Sequence, residues 1–361
     1  MRKLLVFILC AIVLISCTGV AFAAEPAGHQ MPMQQAVKMA IANSSSLRAS
    51  GYSIDQSKED LDAASKALDF TPTGQTTPEV EQAYNSYVQK NLNWMSAKKS
   101  YQSALDSVVI SVYQAYYNVL EAKASLDAAQ QSMNYAEMQY RGTVLKRQLG
   151  CASKWQLTQD SESYESAKQA YASAEKTLAD SYQKFNQLIG LSAASRPELT
   201  DQPVFSPLQV TSLDAEISRV LDESPSVWKA NNAVDQAEIA LNIYSYSPAE
   251  AHTYKSAEIS VSIAEQNAQT EKDRTVQALR SLYYNIMKME DNHAILVKKL
   301  STAEESLRVA RLKYQCGLIS KIDLVSAENS VTQSKLNLLQ AECQHVIQVM
   351  SFETPWVSSG S

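Results

Sequence analysis

One stretch of the chain, from Thr77 to Gly150, is far longer than an ordinary helix and contains almost nothing that would break one. After Pro78 it holds no proline, and Gly142 is its one internal glycine. Thr77 before Pro78 is typical of a helix N-terminus, and Gly150 is typical of a C-terminus. At 1.5 Å per residue, roughly 70 residues form a helix about 105 Å long. A compact core cannot house such a helix in a chain of this size, so the sequence predicts an elongated molecule.

The second half of the chain repeats the first. An offset of 167 residues places Gly150 on Gly317, and a Ser-Lys pair follows three residues after each glycine. The same offset superimposes two Tyr-Tyr-Asn triplets, 116–118 and 283–285, whose tyrosines we interpret as aromatic residues that pack between helices. Nearer the start of each half the offset is 180, so the first half carries about 13 extra residues. The sequence is therefore an internal duplication.

Capping and turn residues predict three helices, short, long and short, in each half. In the first half they span 33 to about 68, 78 to 150 and 153 to 190. In the second half they span about 213 to 244, 248 to 317 and 320 to about 352, and Ser247 with Glu250 fits a capping box for the long one. The sequence thus predicts an all-α fold of two tandem repeats that form a long coiled-coil hairpin bundle.

The same kind of sequence signals divides the chain into five segments. They are a signal peptide (1–23), a first helical repeat (24–190), a proline-containing linker between repeats (191–211), a second helical repeat (212–354) and a C-terminal tail (355–361).

The last helix of each half carries a seven-residue repeat. In the first half it consists of Leu157, Tyr164, Tyr171, Leu178 and Phe185, with mostly small residues between them. In the second half it consists of Leu324, Val331, Leu338 and His345. A heptad repeat predicts knobs-into-holes packing along a supercoil, and large residues facing small ones let the helices lie close together.

Composition and charge exclude several classes of protein. Only 9 Gly and 10 Pro in 361 residues are too few turn residues for an all-β protein of this size. The net charge of −6 offers no basic footprint for nucleic acid. The four histidines are scattered, and the sequence contains no nucleophile elbow, phosphate loop or paired-acid motif. We therefore expect neither an enzyme nor a metal or cofactor site.

Residues 1–23 are typical of an export signal, with two basic residues, an apolar run and the small-residue motif Ala21-Phe22-Ala23. We expect cleavage after Ala23. In the alternative interpretation the sequence before Cys17 is a lipobox, and Cys17 is lipidated and tethers the protein to a membrane. Cleavage after Ala23 leaves three cysteines, Cys151, Cys316 and Cys343, which we interpret as small packing residues; a thiol contact between the two glycine bends is the alternative.

Several motifs together resemble the outer-membrane factor family typified by TolC. The run Tyr314-x-x-Gly317-x-x-Ser320-x-x-Asp323-Leu324, followed by the heptads, is one of them. The segments MQQAVKMAIANSSSL from Met33 and ESPSVWKANNAVDQAEIAL from Glu223 resemble the opening helices of the family's two repeats. The resemblance covers nearly the whole chain after the signal segment, in the expected order and including the duplication.

The resemblance implies a homotrimer in which three protomers form a hollow α-barrel, twelve helices in cross-section. The helix bends would then form the mouth of a duct in a tripartite efflux or type I secretion system. They would dock a periplasmic adaptor, and through it an inner-membrane pump. The docking residues implied are Gly150, Ser153, Gly317, Leu318 and Ser320, for each of which simple helix reversal is the alternative role.

The resemblance also implies a pore entrance at Asp323 and Tyr314. A ring of three Asp323 carboxylates would favour cations; alternatively, Asp323 caps its own helix, because it is the third helical residue after Ser320. The family's second entrance aspartate falls on Ser326, the aspartate of its first bend on Gln156, and its latch arginine on Ile319. We therefore do not expect the latch of the family at this mouth.

The connections between short and long helices differ from those of the family. In the family each connection is expanded by two membrane strands, whereas here they are DFTPTGQTTP and YSYSP. A membrane strand needs about 9 to 11 residues, so we expect a TolC-like α-barrel without the membrane β-barrel. The expected location is the cell envelope, after export. A non-conducting helical scaffold or adaptor-binding protein is the alternative to a transport duct.

Overall fold

A computed structural model describes residues 30–68, 77–244 and 253–357. Two strands of two residues, β1 (Gln30–Met31) and β2 (Glu198–Leu199), pair in parallel. The described residues also form eight helices: α1 (Met33–Asn43), α2 (Ser45–Lys66), α3 (Pro78–Gln148), α4 (Lys154–Ile189), α5 (Leu213–Glu223), α6 (Pro225–Asn242), α7 (Tyr254–Gln315) and α8 (Lys321–Glu353). The all-α prediction is confirmed. The connections 69–76 and 245–252 lie outside the described residues.

The first short helix of each half is broken into two, which the sequence analysis did not predict. Ser44 ends α1 and caps α2, and its hydroxyl accepts a hydrogen bond from the backbone N–H of Leu47. Ser224 does the same between α5 and α6, accepting from Val227. Both serines have an extended backbone, with ψ of 113° and 123°, so each redirects the chain. Ser44 and Ser224 are related by the offset of 180, and the break therefore belongs to the duplicated unit.

The long helices α3 and α7 form nearly as predicted. Helix α3 begins at Pro78 and continues through Gly142 to Gln148. Helix α7 differs at its start: the predicted capping box at Ser247 lies outside the described residues. In the described part the N-cap is Thr253, whose hydroxyl accepts from the backbone N–H of Ser256 at 3.1 Å.

The helices lie side by side in one open layer. At the end of the layer that contains the bends the order is α4, α3, α8 and α7. At the opposite end of the layer the order is α2, α3, α6 and α7. Helix α3 therefore has neighbours on both sides, as does α8. Helix α7 lies at the edge of the layer and has neighbours on one side only. Within the described residues α7 does not pack along α4 or α2, so the protomer is not a closed bundle.

The heptad prediction is confirmed for α4. Its heptad positions from Leu157 to Phe185 are half-buried or buried, while most of the positions between them are exposed. Helix α8 is buried around more of its circumference, and Leu336 lies outside the predicted heptad but is buried. The difference arises because α4 packs along α3 and meets α1 only near its C-terminal end, whereas α8 packs between α3 and α7.

The main core lies where α1 and the strands pack against the middle of α3. Tyr116 is fully buried there and holds three segments together. Its hydroxyl donates to the carbonyl of Met31 and accepts from the backbone N–H of Asp201, both at 2.9 Å. The Asp201 carboxylate in turn accepts from the backbone N–H of Met33 at 2.8 Å. Burial raises the pKa of the Tyr116 hydroxyl, so it stays a neutral donor at physiological pH.

The segment between β2 and α5 is held against the second half by aromatic and polar contacts. Phe205 stacks on His293 with ring centroids 3.6 Å apart and lies 4.6 Å from the ring of His345. Glu290 accepts hydrogen bonds from the backbone N–H of Leu208 and shares one with His345 at 3.2 Å. The predicted heptad residue His345 is therefore a buried core histidine.

None of the helices that the structure describes has an apolar stretch long enough to cross a bilayer.

Candidate docking surface and pore entrance

The two bends between long and short helices have the same backbone design. Gly150 has φ of 73° and Gly317 has φ of 72°, the left-handed conformation that glycine adopts without strain. The backbone N–H of Gly150 donates to the carbonyl of Arg147, and that of Cys151 to the carbonyl of Lys146. The second bend repeats both bonds at the equivalent positions. This is the Schellman pattern, which ends a helix by satisfying its last carbonyl groups.

The predicted serines begin the next helix in both bends. The hydroxyl of Ser153 accepts from the backbone N–H of Gln156 at 3.1 Å, and that of Ser320 accepts from Asp323 at 3.2 Å. The second bend alone forms a reciprocal capping box, because Asp323 also accepts from the backbone N–H of Ser320 at 2.9 Å. In the first bend Gln156 instead donates to Asp160 within α4. The capping role proposed for Asp323 is thus present; its pore role stays a prediction.

Replacing Gly150 and Gly317 by alanine tests the bend design. We expect each substitution to lower the free energy of unfolding by about 1 kcal/mol, because a Cβ is strained at positive φ. No atom lies within 4 Å of the added Cβ at either site, so steric overlap adds nothing. Gly51→Ala is the matched control: it also has open space, but lies inside α2, where alanine is the better helix former. The midpoint of urea unfolding should therefore fall for the two bend variants and rise for Gly51→Ala. Equal shifts in all three variants would contradict the role of positive φ at the bends.

Hydrogen bonds from the side chain and backbone of Ser320 lower the pKa of the Asp323 carboxyl group, and nearby Lys146 lowers it further. A carboxyl group whose pKa falls on folding stabilises the protein above its ordinary pKa, and that contribution is lost as the pH falls through the lowered value. The capping box therefore stabilises α8 at neutral pH and fails in acid.

We expect Asp323→Asn to unfold at a lower temperature than the parent protein at pH 7, with the difference shrinking below about pH 4. Asp291→Asn, an exposed change in the middle of α7, serves as the control and should leave the unfolding temperature unchanged at both pH values. A difference that persisted undiminished in acid would mean that Asp323 does not act through its charge.

Both bends expose large apolar side chains. Leu318 is 73% exposed, as the docking prediction requires, and Tyr314 is 41% exposed beneath the ammonium group of Lys321. Four further exposed apolar residues were not predicted from the sequence: Leu145, Leu149, Trp155 and Leu312. Leu145 and Leu312 could have been found, because the offset of 167 relates them.

The structure brings the two bends together at one end of the layer. Gly142 of α3 faces Ile322 of α8 so closely that a Cβ added at Gly142 would lie 3.3 Å from the Ile322 Cδ1 atom. The glycine that interrupts the long helix thus permits a close approach. As a result, the predicted docking residues of both bends and Asp323 form one composite surface.

The cysteines are only partly as predicted. Cys343 is buried, which confirms a packing role, but Cys151 and Cys316 are exposed, because each lies in a bend that extends beyond the packed helices. All three thiols are free within the described chain. Cys17 lies outside the described residues.

The elongated helical fold is shared with several solved outer membrane channels. The chain is similar to the channel protein CusC, with a TM-score of 0.66 and 14% identity over 90% of this chain and 91% of that one. It is similar to the Campylobacter jejuni outer membrane channel CmeC, with a TM-score of 0.64 and 13% identity over 90% and 85%. It is also similar to the open state of the Neisseria gonorrhoeae outer membrane channel MtrE, with a TM-score of 0.62 and 16% identity over 89% of this chain and 88% of that one.

Residues 239–353 match the family described as outer membrane efflux protein. No curated protein matches the chain by sequence. The resemblance predicted from the motifs is confirmed: residues 239–353 match the model of this family, and the described chain has the fold of solved outer membrane channels.

Proposed function

We propose that the protein is the exit duct of a tripartite efflux or type I secretion system and acts as a homotrimer in the cell envelope. The observation that carries the proposal is the open layer of helices, in which no other described helix covers the outer edge of α7 on one side or of α4 and α2 on the other. A soluble bundle buries its apolar surface by closing on itself. An open layer does so by meeting copies of itself, and a ring of copies encloses a lumen.

The outer face of α7 supports a contact with a second protomer. Six of its large apolar side chains are at least half exposed, and four of them share one face: Ile259, Ile263, Tyr284 and Ile295. At 3.6 residues per turn they fall within about 60° of one another, on the side away from the buried seam. Helix α7 therefore has two apolar faces, only one of which is covered within the protomer.

The opposite edge of the layer fits such a contact. The exposed face of α4 carries small residues at helical spacing, Ser166, Ala170 and Ser173, which let a neighbouring helix approach closely. Tyr52 on α2 is 71% exposed and adds a large apolar side chain to this edge. We infer that α7 of one protomer packs against α4 and α2 of the next, and that three such contacts close the duct.

In this arrangement the bends surround the mouth of the duct. Gly150, Ser153, Gly317, Leu318 and Ser320 would dock a periplasmic adaptor, which links the duct to an inner-membrane pump. Asp323 and Tyr314 would line the entrance, because both belong to the bend next to the uncovered edge. Export would be directed by residues 1–23, with Cys17 as the lipid anchor if the lipobox is used.

The test is the mass and shape of the purified mature protein, measured by light scattering and negative-stain imaging. We expect a trimer about 100 Å long, the length of α3 at 1.5 Å per residue, with a stain-filled lumen. A monodisperse monomer without a lumen, even in the presence of adaptor, would overturn the duct and leave a helical scaffold. Chemical crosslinking between α7 and α4 of different protomers would confirm the direction of closure.

A further inference from the structure

We propose that the paired bends bind an acidic partner, a helical hairpin whose tip carries carboxylates around an apolar centre. This inference rests on the proposed function, in which the bends dock an adaptor, and adds the chemistry of the adaptor's tip. The surface in question comprises residues 144–155 and 311–322, which we call the bend surface.

The bend surface is strongly cationic, although the chain as a whole has a net charge of −6. It contains six basic residues and no Asp or Glu: Lys146, Arg147, Lys154, Arg311, Lys313 and Lys321. All six side chains are exposed. In the part of the chain that the structure describes, none of them forms a salt bridge within 4.0 Å.

The carboxylates bordering the bend surface are already engaged. Asp160 accepts hydrogen bonds from Thr143 and Gln156, and Asp323 accepts from Ser320. Glu137 pairs with Arg141, and Glu305 pairs with Arg308, both outside the bend surface. Asp323 also lies near Lys146 and offsets part of the charge, but two carboxylates cannot balance six cations, so the bends keep a positive surplus within the protomer.

Helix stability accounts for only part of this charge. Lys146, Arg147 and Lys313 lie in the last turn of their helices, where a cation interacts favourably with the helix dipole. Lys154 and Lys321 are the first residues of α4 and α8, where the dipole disfavours a cation. Both repeats carry a lysine at this unfavourable position, which fits a role in contacting an external anion rather than in folding.

The same surface exposes six large apolar side chains among the cations. They are Leu145, Leu149, Trp155, Leu312, Tyr314 and Leu318. Exposed apolar groups rimmed by charge are typical of protein interfaces. Since the rim is positive, electrostatic complementarity selects a partner with a negative rim.

The shape of the surface favours a protein hairpin over a flat membrane. Leu145 and Leu312 lie on the flanks of α3 and α7, about 6 to 8 Å behind the glycines at 1.5 Å per residue. A partner that covers them must extend alongside the helix ends as well as meet the apex. Because Gly142 and Ile322 hold the two bends together, a hairpin tip could contact both bends of one protomer.

The test measures binding of a fluorescent synthetic helical hairpin, with leucines and glutamates at its turn, to the full mature protein. A matched hairpin with glutamine in place of glutamate is the control probe. We expect the glutamate hairpin to bind at least about tenfold more tightly, and its affinity to fall when NaCl rises from about 50 to about 300 mM.

Charge reversal locates the site. Lys154→Glu with Lys321→Glu should weaken binding of the glutamate hairpin by at least about tenfold. Lys123→Glu with Lys335→Glu, the same charge change on the exposed shafts of α3 and α8 and away from the proposed protomer contact, should leave it unchanged. Circular dichroism of both variants confirms that they fold.

Three results would overturn the inference: equal affinity for the two hairpins, no effect of the bend reversals, or no binding at all. Binding to phosphatidylglycerol vesicles but not to either hairpin would also overturn it, in favour of a lipid surface. Both bends belong to one protomer, so the assay works with monomers as well. A monomer that bound the glutamate hairpin would overturn the duct alone, and a trimer that did not would overturn this inference alone.

Discussion

Replacing Tyr284 and Ile295 together by aspartate is expected to leave the protein as a folded monomer. Both side chains lie on the exposed apolar face of α7, at 59% and 52% exposure. In the proposed trimer this face would be buried against the next protomer, and each contact would then have to bury two unpaired carboxylates. Burying an unpaired charge costs several kcal/mol, and the cost recurs at all three contacts.

Within one protomer the same change is mild. Exposed substitutions away from special features alter the free energy of unfolding by about 0.5 kcal/mol or less, so helix content should be retained. Light scattering at micromolar concentration measures the result. Val204→Asp, a change at a 76% exposed residue in the segment before α5, is the control and should remain trimeric. A Tyr284→Asp, Ile295→Asp variant that stayed trimeric would refute the α7 contact.

Replacing Phe185 by alanine is expected to cause the largest loss of stability within the protomer. Phe185 is fully buried near the end of α4, and its ring meets the edge of Tyr116 with centroids 5.8 Å apart. A phenylalanine-to-alanine change in a core costs about 3 to 5 kcal/mol, through lost apolar burial and the cavity that remains. Tyr116 would also lose support for the hydrogen bonds that join Met31 and Asp201.

Urea unfolding followed by circular dichroism gives the size of the effect. Trp155→Ala removes a larger aromatic side chain from the same helix, but this residue is 70% exposed. Its change in unfolding free energy should stay within about 0.5 kcal/mol. If the two variants lost equal stability, the core assigned to α4 and α3 would be wrong.

The repeated bend shows how much the sequence could predict. Gly150 and Gly317 have positive φ, and Ser153 and Ser320 cap the following helices, as the local pattern indicated. These features depend on a few neighbouring residues, so their chemistry is readable without the fold. The breaks at Ser44 and Ser224 were missed because a capping serine inside an apolar pattern resembles an ordinary helical serine.

The paired tyrosines show what local sequence cannot predict. Tyr117 and Tyr284 are equivalent by the offset of 167, and both were interpreted as packing residues. Tyr117 is 5% exposed and Tyr284 is 59% exposed in the protomer. The local sequence is the same, but α3 lies inside the layer and α7 lies at its edge, so only one of the two tyrosines has a neighbouring helix.

The sequence by itself determined the duplication, the long helices, the heptad seam of α4 and the chemistry of the bends, because each depends on residues close together along the chain. Only the tertiary structure decided the order of helices in the layer, the uncovered face of α7 and the joining of two bends into one cationic surface. Those features depend on contacts between residues more than 150 positions apart, such as Gly142 and Ile322. Helical periodicity specifies which face of a helix is apolar, but not which neighbour covers it.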